Sequence, residues 1–158
     1  MDLNYEQLEQ EILDILGSNK YWVLATSADN RVTARSMSIV NDGLNIYFQT
    51  ETLLDKYKQI LINPNIAMCF HNVQIEGKAE SKGQVASREN EKIRKIYCVH
   101  HNKSYERWQG LEEQVFIKVQ PVKITMWKYV DSKPCRDYIY VDERRAVREY
   151  YHGEQYDN

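Results

Sequence analysis

Apolar positions three and four apart open the chain. Tyr5, Leu8, Ile12, Ile15 and Leu16 fall on one stripe, which predicts an amphipathic helix, and Gly17 supplies its C-terminal stop. The period then changes to two. Residues 21–28 (YWVLATSA) are rich in strand formers, Asp29-Asn30 predicts a turn, and residues 31–40 (RVTARSMSIV) predict the return strand. On that strand Val32, Ala34, Ser36 and Ser38 share one face, while Thr33, Arg35, Met37 and Ile39 share the other. Asn41-Asp42-Gly43 marks a hairpin, and residues 44–50 (LNIYFQT) predict a third strand.

The helical period returns at Thr52. Thr52 and Asp55 have the spacing of a capping box, Leu53, Leu54, Tyr57, Ile60 and Leu61 supply the apolar stripe, and Asn63-Pro64 ends the helix. Two more strands follow at 65–71 and 73–86, the second interrupted by Gly77, which predicts a bulge or a sharp bend. Ser87 is placed to cap a helix of roughly 88–99, and a shorter helical stretch surrounds Tyr105 to Trp108. Residues 114–120 and 122–129 predict strands broken by Pro121, with a further short strand at 137–141 and a polar tail that starts as a helix. Hairpins outnumber crossovers, so the sheet is predicted antiparallel. The fold class is α+β: a single domain over residues 1–158, an antiparallel barrel of six to seven strands with about three helices packed outside.

Composition narrows the function. Among 158 residues, Lys plus Arg number 21 and Asp plus Glu 23, a formal net charge of -2. That balance argues against a nucleic-acid surface or an anionic-membrane surface. No window is long and apolar enough for a transmembrane helix, and the acidic N-terminal segment lacks the order of a signal peptide, so a cytoplasmic location is expected. Cys69, Cys98 and Cys135 read as reduced thiols. Cys69 with His71, and Cys98 with His100 and His101, lack the spacing of a zinc site and read as a buried thiol and surface imidazoles. There are 12 Tyr against 3 Phe and 3 Trp, a bias toward half-wet pockets and interfaces. Seven of the 12 Tyr lie from Tyr105 onward, where the substrate pocket is expected.

Among motifs, the familiar nucleotide, zinc-protease and hydrolase patterns are missing from the sequence. The stretch from Thr33 to Lys56 carries the strongest signal. Arg35 sits in a strand of small and apolar residues and needs an anionic or planar partner. Gln49-Thr50 closes the next strand and feeds a helix whose first turn holds Lys56. A strand end opening a helix offers free N–H groups and a favourable dipole. With Thr50, Lys56 and Arg35, if the two strands pair, that makes a phosphate cradle without a glycine-rich loop. The plainer reading makes Arg35 an ordinary ion pair, Thr50 a strand end and Lys56 a solvated helix residue.

The segment ATSADNRVTARSMSIVNDGLNIYFQTETLLDKYKQILINPNIAMCF, followed by NVQIEGKAE and later PVKITMW, resembles the pyridoxamine 5'-phosphate oxidase-like family of FMN-binding split barrels. The resemblance covers roughly residues 5–130. It implies a homodimer of split barrels with FMN at the subunit interface and a small-molecule substrate. It further implies that Arg35 opens the FMN-binding strand, that Ser36, Met37, Ser38, Ile39 and Val40 run along the ribityl chain and flavin ring, and that Gln49 and Thr50 lie near the phosphate. Asp55 and Lys56 match a pair that is usually basic twice over, so Asp55 is a departure. Asn72 stands where a glutamine often reaches the flavin from the other subunit. Trp127 matches a tryptophan that approaches the cofactor across the interface, though a plain core or interface aromatic fits it equally.

Pyridoxamine phosphate oxidases themselves end in an Arg-x-His-Asp-Arg type motif. Here the stretch is DSKPCRDYIYV, in which only Arg136 stands in, so vitamin B6 oxidation is not expected. The resemblance implies instead a small FMN oxidoreductase moving hydride or electrons from a nicotinamide donor, with no side chain required as acid or base. The alternatives are a flavin-binding stress or sensor protein without turnover, a haem-binding split barrel served by His71, His100, His101 or His152, and a deazaflavin enzyme.

Overall fold

A computed structural model describes residues 1–108 and 110–151. His152, named above, and Tyr156, one of the seven late tyrosines, lie outside the described residues. Nine strands and three α-helices run in the order β1 (Asp2–Leu3), α1 (Tyr5–Ser18), β2 (Tyr21–Ala28), β3 (Arg31–Asp42), β4 (Asn45–Glu51), α2 (Asp55–Ile62), β5 (Asn65–Phe70), β6 (Val73–Gln84), α3 (Glu91–Trp108), β7 (Gln114–Val130), β8 (Lys133–Tyr140) and β9 (Arg145–Tyr150) among the described residues. A 3-10 turn at Arg88–Asn90 leads into α3. Every strand pairing is antiparallel. The order β7-β4-β3-β2-β5-β6 closes on itself through β6–β7, a six-strand barrel, and β8, β9 and β1 extend it from the far end of β7.

The amphipathic stripe of α1 does what its spacing predicts. Tyr5, Leu8, Ile12 and Leu16 are buried in the main core with Trp22, Leu24, Phe48, Ile75 and Ile117, and Ile15 packs against it. Asn4 caps the helix, its side chain accepting from the Gln7 N–H at 2.8 Å. The stop is not Gly17, which stays helical: Asn19 closes the helix, its backbone N–H donating to the Ile15 carbonyl. Asp29 and Asn30 both take positive φ (49° and 61°), the backbone a two-residue hairpin demands.

Barrel closure rests on Gly77. The β6–β7 register shifts between Glu76 and Gly77, and a Cβ at Gly77 would sit 2.7 Å from the Gln120 carbonyl oxygen. Only glycine lets the two backbones approach that closely. Pro121 does not break the chain into two strands. β7 is continuous, and Pro121 falls opposite Gly77 in the gap where β7 leaves β4 (pairs 114–119) for β8 (pairs 123–130). In that gap no ladder hydrogen bond is asked of the missing N–H.

Three further expectations are corrected. Thr52 is not a capping residue: α2 starts at Asp55 behind Leu54, with no side-chain cap. Ser87 makes no side-chain cap either, and the predicted helix of 88–99 and the stretch near Tyr105 are one helix kinked at His101 (φ -134°, ψ 39°). The tail after Tyr140 forms β9 rather than a helix, because Ala146 packs into the core while Arg148 is drawn to a buried carboxylate on β8.

That carboxylate is Asp137, fully buried, gripped by Arg148 at 2.6 and 2.8 Å and by Lys128 at 3.1 Å. Lys128 also reaches Glu11 of α1 at 2.6 Å, so one charge cluster ties β7, β8, β9 and α1. Burial works to raise the Asp137 pKa, but the bonds from Arg148 and Lys128 outweigh it and hold it below its ordinary 3.8. Asp137→Asn leaves the largely buried Arg148 without its carboxylate, while Lys128 keeps Glu11, and is expected to cost about 3–5 kcal/mol in urea unfolding. A carboxylate with a depressed folded pKa stabilises fully above its ordinary value. Wild-type stability is therefore expected to fall as pH drops through and below 3.8, and the Asn variant to show a flatter acid limb.

Candidate functional site

Arg35 lies on the inner face of β3, beside Leu24 of β2. Its guanidinium donates to the Thr26 hydroxyl (2.8 Å), to the Leu24 carbonyl (3.3 Å) and to the Thr33 hydroxyl. Those two hydroxyls in turn donate to Oε1 of Gln59 on α2, at 2.6 and 2.7 Å, and Gln59 Nε2 donates to the Arg31 carbonyl at 3.2 Å. Gln59 is buried, as is Thr26. The network fixes α2 across the end of the barrel and fixes Arg35 beneath it. Gln59 was missed in the sequence because a polar residue inside a helical stripe looks like a surface position.

Lys56, in the first turn of α2, is half-buried close to Arg35, and the two share a cleft with Leu53, Leu54 and Asp55. Neither cation forms an ion pair among the described residues. Burial lowers the Arg35 pKa, with Asp55 opposing; burial and then the Arg35 charge lower that of Lys56, with Glu51 opposing. Arginine stays charged regardless, so the protein holds two repelling, half-desolvated cations without a contacting anion. Asp55 spends its carboxylate on Arg31 at 3.2 Å, at the surface.

Across Leu54 and Lys56 the cleft continues into a cavity of about 360 Å³. Ser36, Met37 and Ser38 of β3, Gln49 and Thr50 of β4, and Lys56 line it. Two buried oxygens here, the Thr50 hydroxyl and Gln49 Oε1, have no hydrogen-bond partner among the described residues. Gln49 Nε2 donates to Gln114 Oε1 at 2.9 Å, which fixes the amide with its oxygen unmatched. Buried polar atoms left unpartnered are rare and point to a missing ligand or water. Paired cations, an orphan hydroxyl and the unsatisfied N–H groups of a helix start together suit a phosphate monoester.

The structure thus brings Ser36, Met37, Ser38, Gln49, Thr50 and Lys56 to one cavity, with Arg35 and Asp55 in the adjoining cleft. The side chains of Ile39 and Val40 turn into the two cores, so only their backbone is available. Asn72 and Trp127 are not at this cavity. Asn72 Nδ2 donates to the Trp127 carbonyl at 2.7 Å, and both line a separate, more open cavity with Cys69, His71 and Arg136. Arg136 stacks on Trp127 and on Tyr151, 5.3 and 4.8 Å from their ring centroids. His71 sits in the β5–β6 turn at φ 48° rather than on the strand, and Cys69 is exposed, not buried. His101 is a buried helix residue, not a surface imidazole. Among the described residues no group of His, Cys, Asp and Glu is arranged to hold a metal.

One wall was not foreseen. Tyr97, Ser104 and Trp108 of α3 also line the first cavity. Tyr97 precedes and Ser104 and Trp108 follow the kink at His101, so their convergence on the cavity is not readable from helical spacing. Of the late tyrosines, Tyr138 and Tyr140 instead carry Lys123 over their rings at 4.8 and 5.7 Å.

Comparison with known proteins agrees with this architecture. The family described as Pyridoxamine 5'-phosphate oxidase matches residues 8–128. General stress protein 26 of Bacillus subtilis (strain 168) is 30% identical over 86 residues, covering 54% of this chain and 61% of the relative, so the match spans under two thirds of that protein. The crystal structure of General Stress Protein 26 from Bacillus anthracis superposes at a TM-score of 0.61 with 20% identity, over 75% of this chain and 92% of that one. A pyridoxamine 5'-phosphate oxidase-related, FMN binding protein from Nostoc punctiforme superposes at 0.63 with 13% identity, over 96% and 98%; at such identities the likeness shows the fold alone. With the barrel, its closure and the family match over most of its length, the chain belongs to the pyridoxamine 5'-phosphate oxidase-like split-barrel family.

Proposed function

We propose that the chain binds FMN between two copies of itself and acts as a small oxidoreductase, passing hydride or electrons from a nicotinamide donor to a small acceptor. The observation that carries this reading is the unneutralised Arg35–Lys56 pair beside the orphan Thr50 hydroxyl. A phosphate monoester brings about two negative charges and three acceptor oxygens, which match two cations, a hydroxyl and a helix start. In this reading Arg35, Thr50 and Lys56 hold the phosphate, and the β3 backbone from Ser36 to Val40 orients the ring. Bound FMN supplies the redox chemistry; the chain supplies anchoring, orientation and a shielded wall.

A second copy fits the outer face of the barrel. Val23, Ala25, Ala34 and Ala67 sit opposite one another on β2, β3 and β5, with Ser36 and Cys69 in the same rows. Val23 and Val32 are 40% and 70% exposed, and with the small residues they make a largely apolar surface. Ser36 also lines the first cavity and Cys69 the second. A two-fold contact through this face would set one copy's Asn72, Trp127 and Arg136 toward the other copy's phosphate cradle. Each cavity would then be half a site.

The similarity to a general stress protein favours one competing reading, a flavin binder without turnover. Steady NADH or NADPH consumption by the FMN-loaded protein is expected and separates the two; binding without consumption favours the stress-protein reading. The purified protein is expected to show flavin absorption bands and to elute as a dimer in size-exclusion chromatography with light scattering. Absence of flavin bands together with failure to take up added FMN refutes the flavin reading, and a Soret band on haem addition supports haem instead. Lys56→Ala is expected to weaken FMN binding by about 1.5–3 kcal/mol, roughly 10- to 150-fold in Kd by fluorescence titration, more than any exposed lysine gives.

A further inference from the structure

α3 is anchored along one stripe only. Ile93, Tyr97 and His101, four residues apart, are its buried positions. Ile93 and Tyr97 enter a second apolar cluster with Val40, Val85 and Phe116. His101 does something different. Its φ and ψ (-134°, 39°) leave the helical region, so the helix bends there. Its Nε2 lies 2.9 Å from the backbone carbonyl of Ile39. A carbonyl only accepts, so Nε2 carries the proton and donates. The ring is wedged between Tyr97 (5.0 Å) and Tyr21 (5.6 Å).

Beyond that bend the helix is lightly held. Asn102, Lys103, Glu106, Arg107 and Trp108 are exposed, and only Tyr105 packs against the second cluster. Yet Ser104 and Trp108 from this arm line the cavity, with Tyr97 just before the bend. Trp108 is 40% exposed, its ring under the Arg107 guanidinium at 4.9 Å. The bend at His101 separates the anchored part of α3 from the two arm residues that line the cavity. At that bend the ring is bonded to β3, the strand that also contributes Ser36, Met37 and Ser38 to the cavity.

We propose that His101 is a positioning residue: its Nε2–H bond to Ile39 locks the bend that hangs Ser104 and Trp108 over the cavity, so that Trp108 covers a planar ligand seated against β3. The position of the arm follows from the apo chain, whereas the covering role rests on the flavin reading.

The test uses four variants of the protein. Trp108→Phe assigns the Trp108 fluorescence by difference, and acrylamide quenching of that signal reports the arm without any ligand. His101→Gln keeps a donor at nearly the Nε2 position; His101→Leu keeps the volume and removes the donor. In the ligand-free protein, His101→Leu is expected to raise Trp108 quenching at least about twofold, toward that of free tryptophan, and His101→Gln to restore the wild-type value. With FMN added, the Leu variant is expected to lose roughly tenfold in affinity, the scale of one lost hydrogen bond, and the Gln variant little. Equal quenching in wild type and a folded Leu variant overturns the proposal. So does a Gln variant that behaves like Leu at an unchanged melting temperature, since ring packing rather than the bond would then hold the arm. If His101→Leu does not fold, Trp108→Ala decides, because Trp108 is not a core residue. A bound-flavin fluorescence and Kd unchanged by Trp108→Ala overturn the covering role. Failure of the wild type to bind FMN removes the flavin reading but leaves the quenching comparison standing as the test of the bend.

Discussion

Everything at the candidate site hangs on the hydrogen-bond network that joins Arg35 to α2. Thr26 and Thr33 each accept from the guanidinium and donate to Gln59, so a single buried amide ties two strands to a helix. Without it, α2 would have little hold on the barrel end, because of its residues only Gln59 and Ile60 are buried. With it, Lys56 is forced toward Arg35, and two cations share a partly dry cleft. Such an arrangement costs stability on its own. It becomes favourable once an anion arrives, which is why it reads as a binding site and not as scaffold.

The rest of the fold serves that end of the barrel. Gly77 and Pro121 let β6 and β7 close the ring while β7 passes from β4 to β8. The Asp137 cluster secures the extension that carries Trp127 and Arg136. α3, anchored through Ile93, Tyr97 and His101, supplies the remaining wall. Phosphate cradle, ring strand and aromatic wall therefore come from elements far apart in the chain.

Much of this was legible in the sequence where one residue sufficed. The α1 stripe, the Asp29-Asn30 hairpin and the Gly77 bulge each follow from local chemistry, and so does the convergence of Thr50 and Lys56 across a strand-to-helix junction. What could not be read depends on partners distant in sequence. Pro121 looks like a break until Gly77 and the gap between β4 and β8 are set beside it. Thr52 has capping spacing, but α2 starts only at Asp55; Ser87 stands directly before the 3-10 turn, yet its side chain makes no cap. Gln59 and His101 look like ordinary polar positions until Thr26, Thr33 and the Ile39 carbonyl stand opposite them. The tail becomes a strand because Asp137 is waiting for Arg148.

Recognition of a phosphate by this cleft is measured by isothermal titration with FMN and with riboflavin, which lacks only that group. Riboflavin is expected to bind at least about 100-fold more weakly, in keeping with the loss of two charge-assisted contacts. Equal affinity for the two would contradict phosphate recognition, since the Arg35–Lys56 pair would then have no part in holding the ligand.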